Sequence, residues 1–322
     1  MEQQNNFGNL RNYVNSARKE IVEKTYQNMQ INQSLAFVKA KKDKYYQLNH
    51  GKMNVFEVFK LLETMVDDSD PDNDLPQVFH AYQTAESIFQ YAMENATQLK
   101  NNLSIRDLFR DHEWQAVPPK WQTIYSQNTI ATLYDHIKDW SWLPVVGFVH
   151  DLGKVMALEH FGKLPQWCVV GDTFPVAAPF SKSNVFYGKG FYKDSEDFNK
   201  YNVENNEYYG VYHKHCGFDN VDMSWGHDEY IYEVMRKGST IVKEGLYLLR
   251  FHSFYPWHTP QNGSLGYIEL ASEYDWKMLP LVKAFQKGDL YSKSTVIPTM
   301  EQIEQKYKPL LAKYIPSPSI DW

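Results

Sequence analysis

At 322 residues, with 43% hydrophobic and 16% aromatic residues, the chain can bury one large core or two ordinary ones. A net charge of −6 and only short lysine runs exclude the basic footprint of a nucleic-acid binder. Two cysteines cannot build a disulfide framework, no apolar run reaches the ~20 residues of a membrane span, and Met1-Glu-Gln-Gln-Asn-Asn lacks a signal-peptide pattern, so a soluble cytoplasmic protein is expected.

In chain order, Val55, Val58, Phe59, Leu62 and Val66 recur at helical spacing behind Asn54, with Glu57 placed for a capping box. The acidic run 66–74 breaks that helix, and Pro76 opens a second one carrying His80, with Phe79, Tyr82 and Phe89 on its apolar side. Segment 95–139 is polar and amphipathic, and its His112 and His136 read as surface residues. Further helices are expected over 143–156, 224–235, 246–254, 280–285 and Met300–Tyr314. The Gly-, Pro- and Asn-rich span 172–212 reads as a long ordered loop. No internal repeat is present, and the expected architecture is all-α.

The most informative pair is His150-Asp151, reached straight from the apolar run 143–149. An imidazole and a carboxylate buried without partners would cost several kcal/mol (roughly 2–7 for even a neutral polar group), and a metal ion satisfies both together. A lone core histidine is more often hydrogen-bonded than metal-bound. However, His80, His227 and His252 also sit on apolar helical stretches, and Asp289 adds a second carboxylate. Four imidazoles and two carboxylates can serve two first-row metals, with iron, manganese and zinc all open on ligand type. The His213-Lys-His-Cys216 run reads as loop packing, and no Gly-x-Gly-x-x-Gly or P-loop run is present to hold a nucleotide cofactor.

The order His…His-Asp…Asp on separate helices resembles HD-domain proteins. Longer blocks narrow this: Phe79-His-Ala-Tyr-Gln-Thr-Ala-Glu86, Val149-His-Asp-Leu-Gly-Lys-Val-Met-Ala157, Val170-Gly-Asp-Thr-Phe-Pro175, Met223-Ser-Trp-Gly-His-Asp-Glu-Tyr230, Arg250-Phe-His-Ser-Phe-Tyr-Pro-Trp-His258 and Gly288-Asp-Leu-Tyr-Ser-Lys293. Together they resemble the myo-inositol oxygenase family, over about 10–322. The resemblance implies a single catalytic domain, 1–322, built as an HD-domain-like helical bundle with long ordered loops. Residues 1–50 would form an N-terminal substrate cover. It implies O2-dependent cleavage of myo-inositol between C1 and C6 to D-glucuronate, the first step of inositol catabolism. Two iron ions per chain would be active as Fe(II)/Fe(III), without an external electron donor.

Carried over residue by residue, one iron would take His80, His150 and Asp289, the other His227 and His252, with Asp151 bridging. Lys154, one helical turn beyond His150, would stabilise a substrate alkoxide as the catalytic residue. Arg11, Asp67, Gly171, Asp172, Ser253 and Lys293, with Lys154 and His252, would contact the polyol, and Tyr26 would join Arg11 in the cover. A monomer is expected. The separation of His80 from His150 far exceeds the short connection the resemblance implies, so 95–139 is expected to be a helical insertion. It holds none of these residues and reads as removable, and as a candidate partner surface. Two rivals remain open at this point. One is an HD-type phosphohydrolase, or an oxygenase of another polyol or a phosphonate; in the hydrolytic form Asp67 and Asp172 would repel a phosphate dianion. The other is a helical binding module with a structural metal.

Overall fold

In a computed structural model the described residues are 11, 13, 16–72, 80–88, 104–201, 209–261, 263–290 and 299–322. The chain is all-α, as expected. Its helices are α1 (Lys19–Asn32), α2 (Leu35–Tyr45), α3 (Val55–Leu61), α4 (described over 80–88), α5 (Asp111–Ala116), α6 (Pro119–Gln127) and α7 (Ile130–Leu133). After these come α8 (Trp142–Val149), α9 (Glu196–Lys200), α10 (His227–Gly238), α11 (Lys243–Phe251), α12 (Tyr255–His258), α13 (Glu273–Leu290) and α14 (Met300–Tyr314). The strands among the described residues are a two-residue antiparallel clip, β1 (Lys52–Met53) on β2 (Ile320–Asp321). There Trp322 is fully buried, and its indole donates to the Met53 carbonyl at 3.2 Å.

The core is laid down by apolar helices that approach closely. Every residue of α8 is buried. A Cβ on Gly147 of α8 would lie 2.7 Å from Ile88 of α4, and one on Gly288 of α13 would lie 2.5 Å from the same side chain. Two glycines therefore let α4 wedge between α8 and α13, and those three helices carry His80, the entry to His150, and Asp289. No described helix is long and apolar enough to cross a membrane.

Capping chemistry sets α3 as expected: Asn54 Oδ1 accepts from Glu57 N at 2.9 Å, and Glu57 Oε2 accepts from Asn54 N at 2.7 Å. Pro76, Phe79 and Phe89 lie outside the described residues. The helix expected over 143–156 is broken. α8 stops at Val149 with His150 as its C-cap, and Leu152–Ala157 winds as a 3₁₀ turn. α10 starts at His227 rather than Ser224, because Met223 bridges Pro175 in extended form and Ser224 N donates to the Phe174 carbonyl. α11 starts earlier, at Lys243, and hands over to His252 at its C-cap. The span 172–212, described up to 201 and from 209, holds 3₁₀ turns and the short α9.

The largest departure is α13. Pro280 was expected to begin a helix, yet it lies inside an 18-residue one. Proline has no N–H for the carbonyl four residues back and crowds that turn. The Trp276 carbonyl accepts instead from the Tyr125 hydroxyl, and the Lys277 carbonyl from the Tyr134 hydroxyl. Both tyrosines belong to the 95–139 segment. Many of its described apolar side chains, among them Ile105, Phe109, Trp121, Tyr125 and Tyr134, are buried within this chain rather than displayed. His112 is exposed, and half-exposed His136 bonds Glu244.

Candidate metal centre

Three imidazoles have their tautomer dictated by the backbone. His150 Nδ1 faces the Gly147 carbonyl at 2.8 Å, His227 Nδ1 the Val169 carbonyl at 2.7 Å and His252 Nδ1 the Leu249 carbonyl at 2.9 Å. A carbonyl only accepts, so each Nδ1 carries the hydrogen and each neutral ring presents a bare Nε2 lone pair. Those lone pairs converge. His227 Nε2 and His252 Nε2 are 3.0 Å apart, and His150 Nε2 is buried without a hydrogen-bond partner. A buried cluster of such nitrogens is one a cation can satisfy, and imidazole nitrogen with carboxylate oxygen is a donor set for a divalent first-row metal.

Asp151 sits between two imidazole pairs. Its Oδ1 lies 3.2 Å from His227 Nε2 and 3.8 Å from His252 Nε2, while its Oδ2 lies 3.5 Å from His80 Nε2 and 3.6 Å from His150 Nε2. Asp289 Oδ1 adds contacts of 3.1 Å to His80 and 3.4 Å to His150, and Thr84 Oγ1 donates to it at 3.2 Å. Ligand atoms of His80, His150 and Asp289 lie within 4.8 Å of one another, and so do those of His150, Asp151 and His252. His150 thus belongs to both triplets, while the split of Asp151's two oxygens separates His80 and His150 from His227 and His252. This His/Asp cluster is compatible with metal binding.

The carboxylates stay ionised and, against burial, Asp289 and Asp151 raise the His80 imidazole to about 9. Burial alone would raise both carboxyls, but Lys154 and the histidines hold Asp151 well below the usual carboxylate range. His150 and His80 do the same for Asp289. Burial lowers His252, leaving its ring neutral and able to donate a lone pair.

Lys154 reaches this site by a different route from the one expected. It does not follow His150 on an α-helical turn; the 3₁₀ geometry sets it three residues after Asp151. Its ammonium donates at 2.9 Å to Asp151 Oδ2 and lies 2.9 Å from Asp67 Oδ2. That tight turn needs Gly153, where a Cβ would meet the His227 carbonyl oxygen at 2.0 Å. Asp67 also accepts from Ser69 N at 2.7 Å. Ser253 Oγ lies 3.2 Å from His227 Nε2.

Arg11, Tyr13 and Tyr26 gather on Asp172. Arg11 Nη2 pairs with Asp172 Oδ1, which also accepts from the Tyr26 hydroxyl at 2.9 Å. The Arg11 guanidinium lies over the Tyr255 ring at 3.4 Å, and its Nη1 is buried without a hydrogen-bond partner. Tyr13, Tyr26 and Phe186 meet edge to face, with centroids 5.6–5.7 Å apart. Burial raises the Asp172 carboxyl, against the opposing pull of Arg11. Gly171 precedes it at φ 90°. Lys293 lies outside the described residues.

Sequence reasoning missed a second tier. His252's carbonyl accepts from His258 Nε2 at 2.9 Å and from Gln286 Nε2 at 2.6 Å. Lys283, buried in α13, donates to the His258 carbonyl at 2.7 Å and to Glu113 Oε2 at 3.0 Å. The available signal was spacing. Lys283, Gln286 and Asp289 recur every three residues on a helix otherwise carrying Leu281, Val282, Ala284 and Phe285.

A family model described as Myo-inositol oxygenase matches residues 19–124 and 119–322. Curated relatives include the inositol oxygenase of Danio rerio, 39% identical over 308 residues, covering 95% of this chain and 91% of the relative. That of Dictyostelium discoideum is 39% identical over 312 residues, covering 96% and 88%. The Homo sapiens inositol oxygenase is 38% identical over 310 residues, covering 95% and 89%.

Proposed function

The chain belongs to the myo-inositol oxygenase family and is an oxygenase; on that premise we propose that it cleaves myo-inositol with O2 between C1 and C6. The products are D-glucuronate and water, so all four electrons accepted by O2 come from the polyol and no external donor is required. We assign the metals as two irons, working as Fe(II)/Fe(III). His80, His150 and Asp289 would hold one, His227 and His252 the other, and Asp151 would serve both. The observation that carries this reading is the convergence of imidazole lone pairs on the two oxygens of Asp151.

Bound there, the iron pair would supply oxygen binding and one-electron chemistry. The chain's own residues bind, orient and seal. The Lys154 ammonium, 2.9 Å from Asp151 and Asp67, is the catalytic cation that favours loss of a proton from a substrate hydroxyl. Asp67, Asp172 and Ser253 offer hydrogen bonds to further hydroxyls, beside the Gly171 backbone, and we add Lys293 from the family pattern alone. Arg11, held by Asp172 and Tyr255, closes the site with Tyr13 and Tyr26 and excludes water. Residues 1–322 act as one catalytic domain and 1–50 as its cover. We expect a monomer, placed in the cytoplasm, a reducing compartment in which two free cysteines persist. The test is O2 uptake by iron-loaded protein with myo-inositol, with glucuronate assayed. Turnover without O2 by a zinc-loaded protein would refute it.

A further inference from the structure

The helical segment between His80 and His150 holds no candidate ligand, yet it supplies the far end of a hydrogen-bonded chain that stops on one. α5 contributes Glu113, almost fully buried. Its carboxylate is saturated: Oε1 accepts from Arg110 Nε at 3.0 Å and Nη2 at 2.7 Å, and Oε2 from Arg110 N at 2.8 Å and Lys283 Nζ at 3.0 Å. Burial would raise this carboxyl, but Lys283 and Arg110 hold it below its usual value, and charged. Lys283, 5% exposed and lying over the Phe109 ring, turns its remaining reach to the His258 carbonyl. His258 Nε2 donates to the His252 carbonyl at 2.9 Å, and its Nδ1 accepts from the Thr259 hydroxyl at 3.0 Å. Gln286, one turn along α13 from Lys283, donates to the same His252 carbonyl.

We propose that Glu113, Lys283 and His258 are positioning residues for His252, so that this segment is part of the active-site scaffold rather than a dispensable insertion. The proposal rests on the reading of His252 as an iron ligand. His252 closes α11 at its C-cap, where the helix no longer fixes the backbone through its own hydrogen bonds. Its carbonyl is therefore anchored from outside, by His258 and Gln286. The imidazole hangs from that anchored residue, with Nδ1 tied to Leu249 and Nε2 aimed 3.0 Å from His227 Nε2. A buried lysine can hold the His258 main chain only if a carboxylate neutralises it, and among the described residues that carboxylate comes from Glu113. Groups that orient a metal ligand without touching the metal are worth about 10–100-fold in metal affinity.

The experiment challenges iron-loaded protein with a chromogenic ferrous chelator and reads the iron dissociation constant beside the unfolding midpoint. Lys283→Met leaves Glu113 paired to Arg110 and removes the ammonium that donates to both Glu113 and the His258 carbonyl. Iron affinity should fall about 10- to 100-fold at temperatures where the variant stays folded, with an altered iron EPR signal. His258→Phe cuts the chain one link nearer and should give the same loss. It also carries the test should Lys283→Met not fold. His252→Ala is the control and should lose iron outright. Variants at 283 and 258 that hold iron within twofold of wild type, while His252→Ala loses it, would overturn the inference and leave the metal assignment standing. A lowered unfolding midpoint with unchanged iron affinity would overturn it equally, reducing the chain to ordinary packing. Wild-type iron binding by His252→Ala would remove the metal assignment itself.

Discussion

Lys154→Met is the sharpest probe of the chemistry. The substitution keeps the aliphatic stem and removes an ammonium that sits 2.9 Å from Asp67 Oδ2 and 2.9 Å from Asp151 Oδ2 while 6% exposed. Two consequences separate. Stability falls because two buried carboxylates lose a counter-ion, and breaking a buried pair costs about 3–5 kcal/mol. On the proposed assignment, iron on Asp151 would replace most of what that carboxylate loses, and Asp67 keeps Ser69 N on its other oxygen at 2.7 Å. The loaded variant should therefore stay folded, with iron near wild type, since a protonated lysine ligates nothing. Turnover should fall ~10²-fold or more, the usual scale for one electrostatic stabiliser, or about 2.7 kcal/mol of barrier. Glucuronate formation at saturating inositol, with O2 uptake and iron content on the same sample, reads all of this. Turnover within about threefold of wild type at full iron content would refute the role given to Lys154.

Arg11→Ala removes the cation shared by Asp172 and Tyr255, and a charge-assisted hydrogen bond is worth ~1.5–3 kcal/mol. Inositol binding, followed by titration, should weaken tens-fold at unchanged iron content; an identical titration would move Arg11 out of the site. Tyr125→Phe strands the Trp276 carbonyl beside Pro280 and should cost ~1–3 kcal/mol in urea unfolding. No shift of the midpoint would mean that the phenol does not replace the bond Pro280 lacks. Burial, against the pull of Glu113, pushes the Lys283 ammonium down to about 8, below its unfolded value of 10.5. Between those limits the unfolded chain binds the extra proton, so wild-type stability should rise with pH from about 8 towards 10 relative to Lys283→Met. A difference between the two proteins that stays flat across that window would contradict the burial of a charged Lys283.

Much of the candidate centre was legible because buried histidines and carboxylates leave a local mark. His150-Asp151 ends an apolar run, and His227 and His252 sit in similar settings, so each was visible without knowing where the others lay. The capping box at Asn54 was equally local, and both of its bonds are present. What failed was anything decided by partners distant in sequence. Pro280 reads as a helix start until Tyr125 and Tyr134, roughly 150 residues away, supply donors for the carbonyls it affects. Lys154 reads as an α-helical neighbour of His150 until the packing of Gly153 on His227 tightens the chain into a 3₁₀ turn. Segment 95–139 reads as removable because it contains no ligand. The contact that bears on it is the buried pair Glu113–Lys283, across 170 residues, which no periodicity announces.

His150 and His252 share a feature beyond their imidazoles: each closes a helix, α8 and α11, at its C-terminal end. The aligned peptide dipoles of a helix place roughly half a negative charge at that end. Two such ends at the candidate centre outweigh the single positive end that α10 offers through His227, its first residue. The scaffold's own field therefore draws cations towards Asp151 before any side-chain charge is counted. The same field opposes a phosphate group arriving without metal.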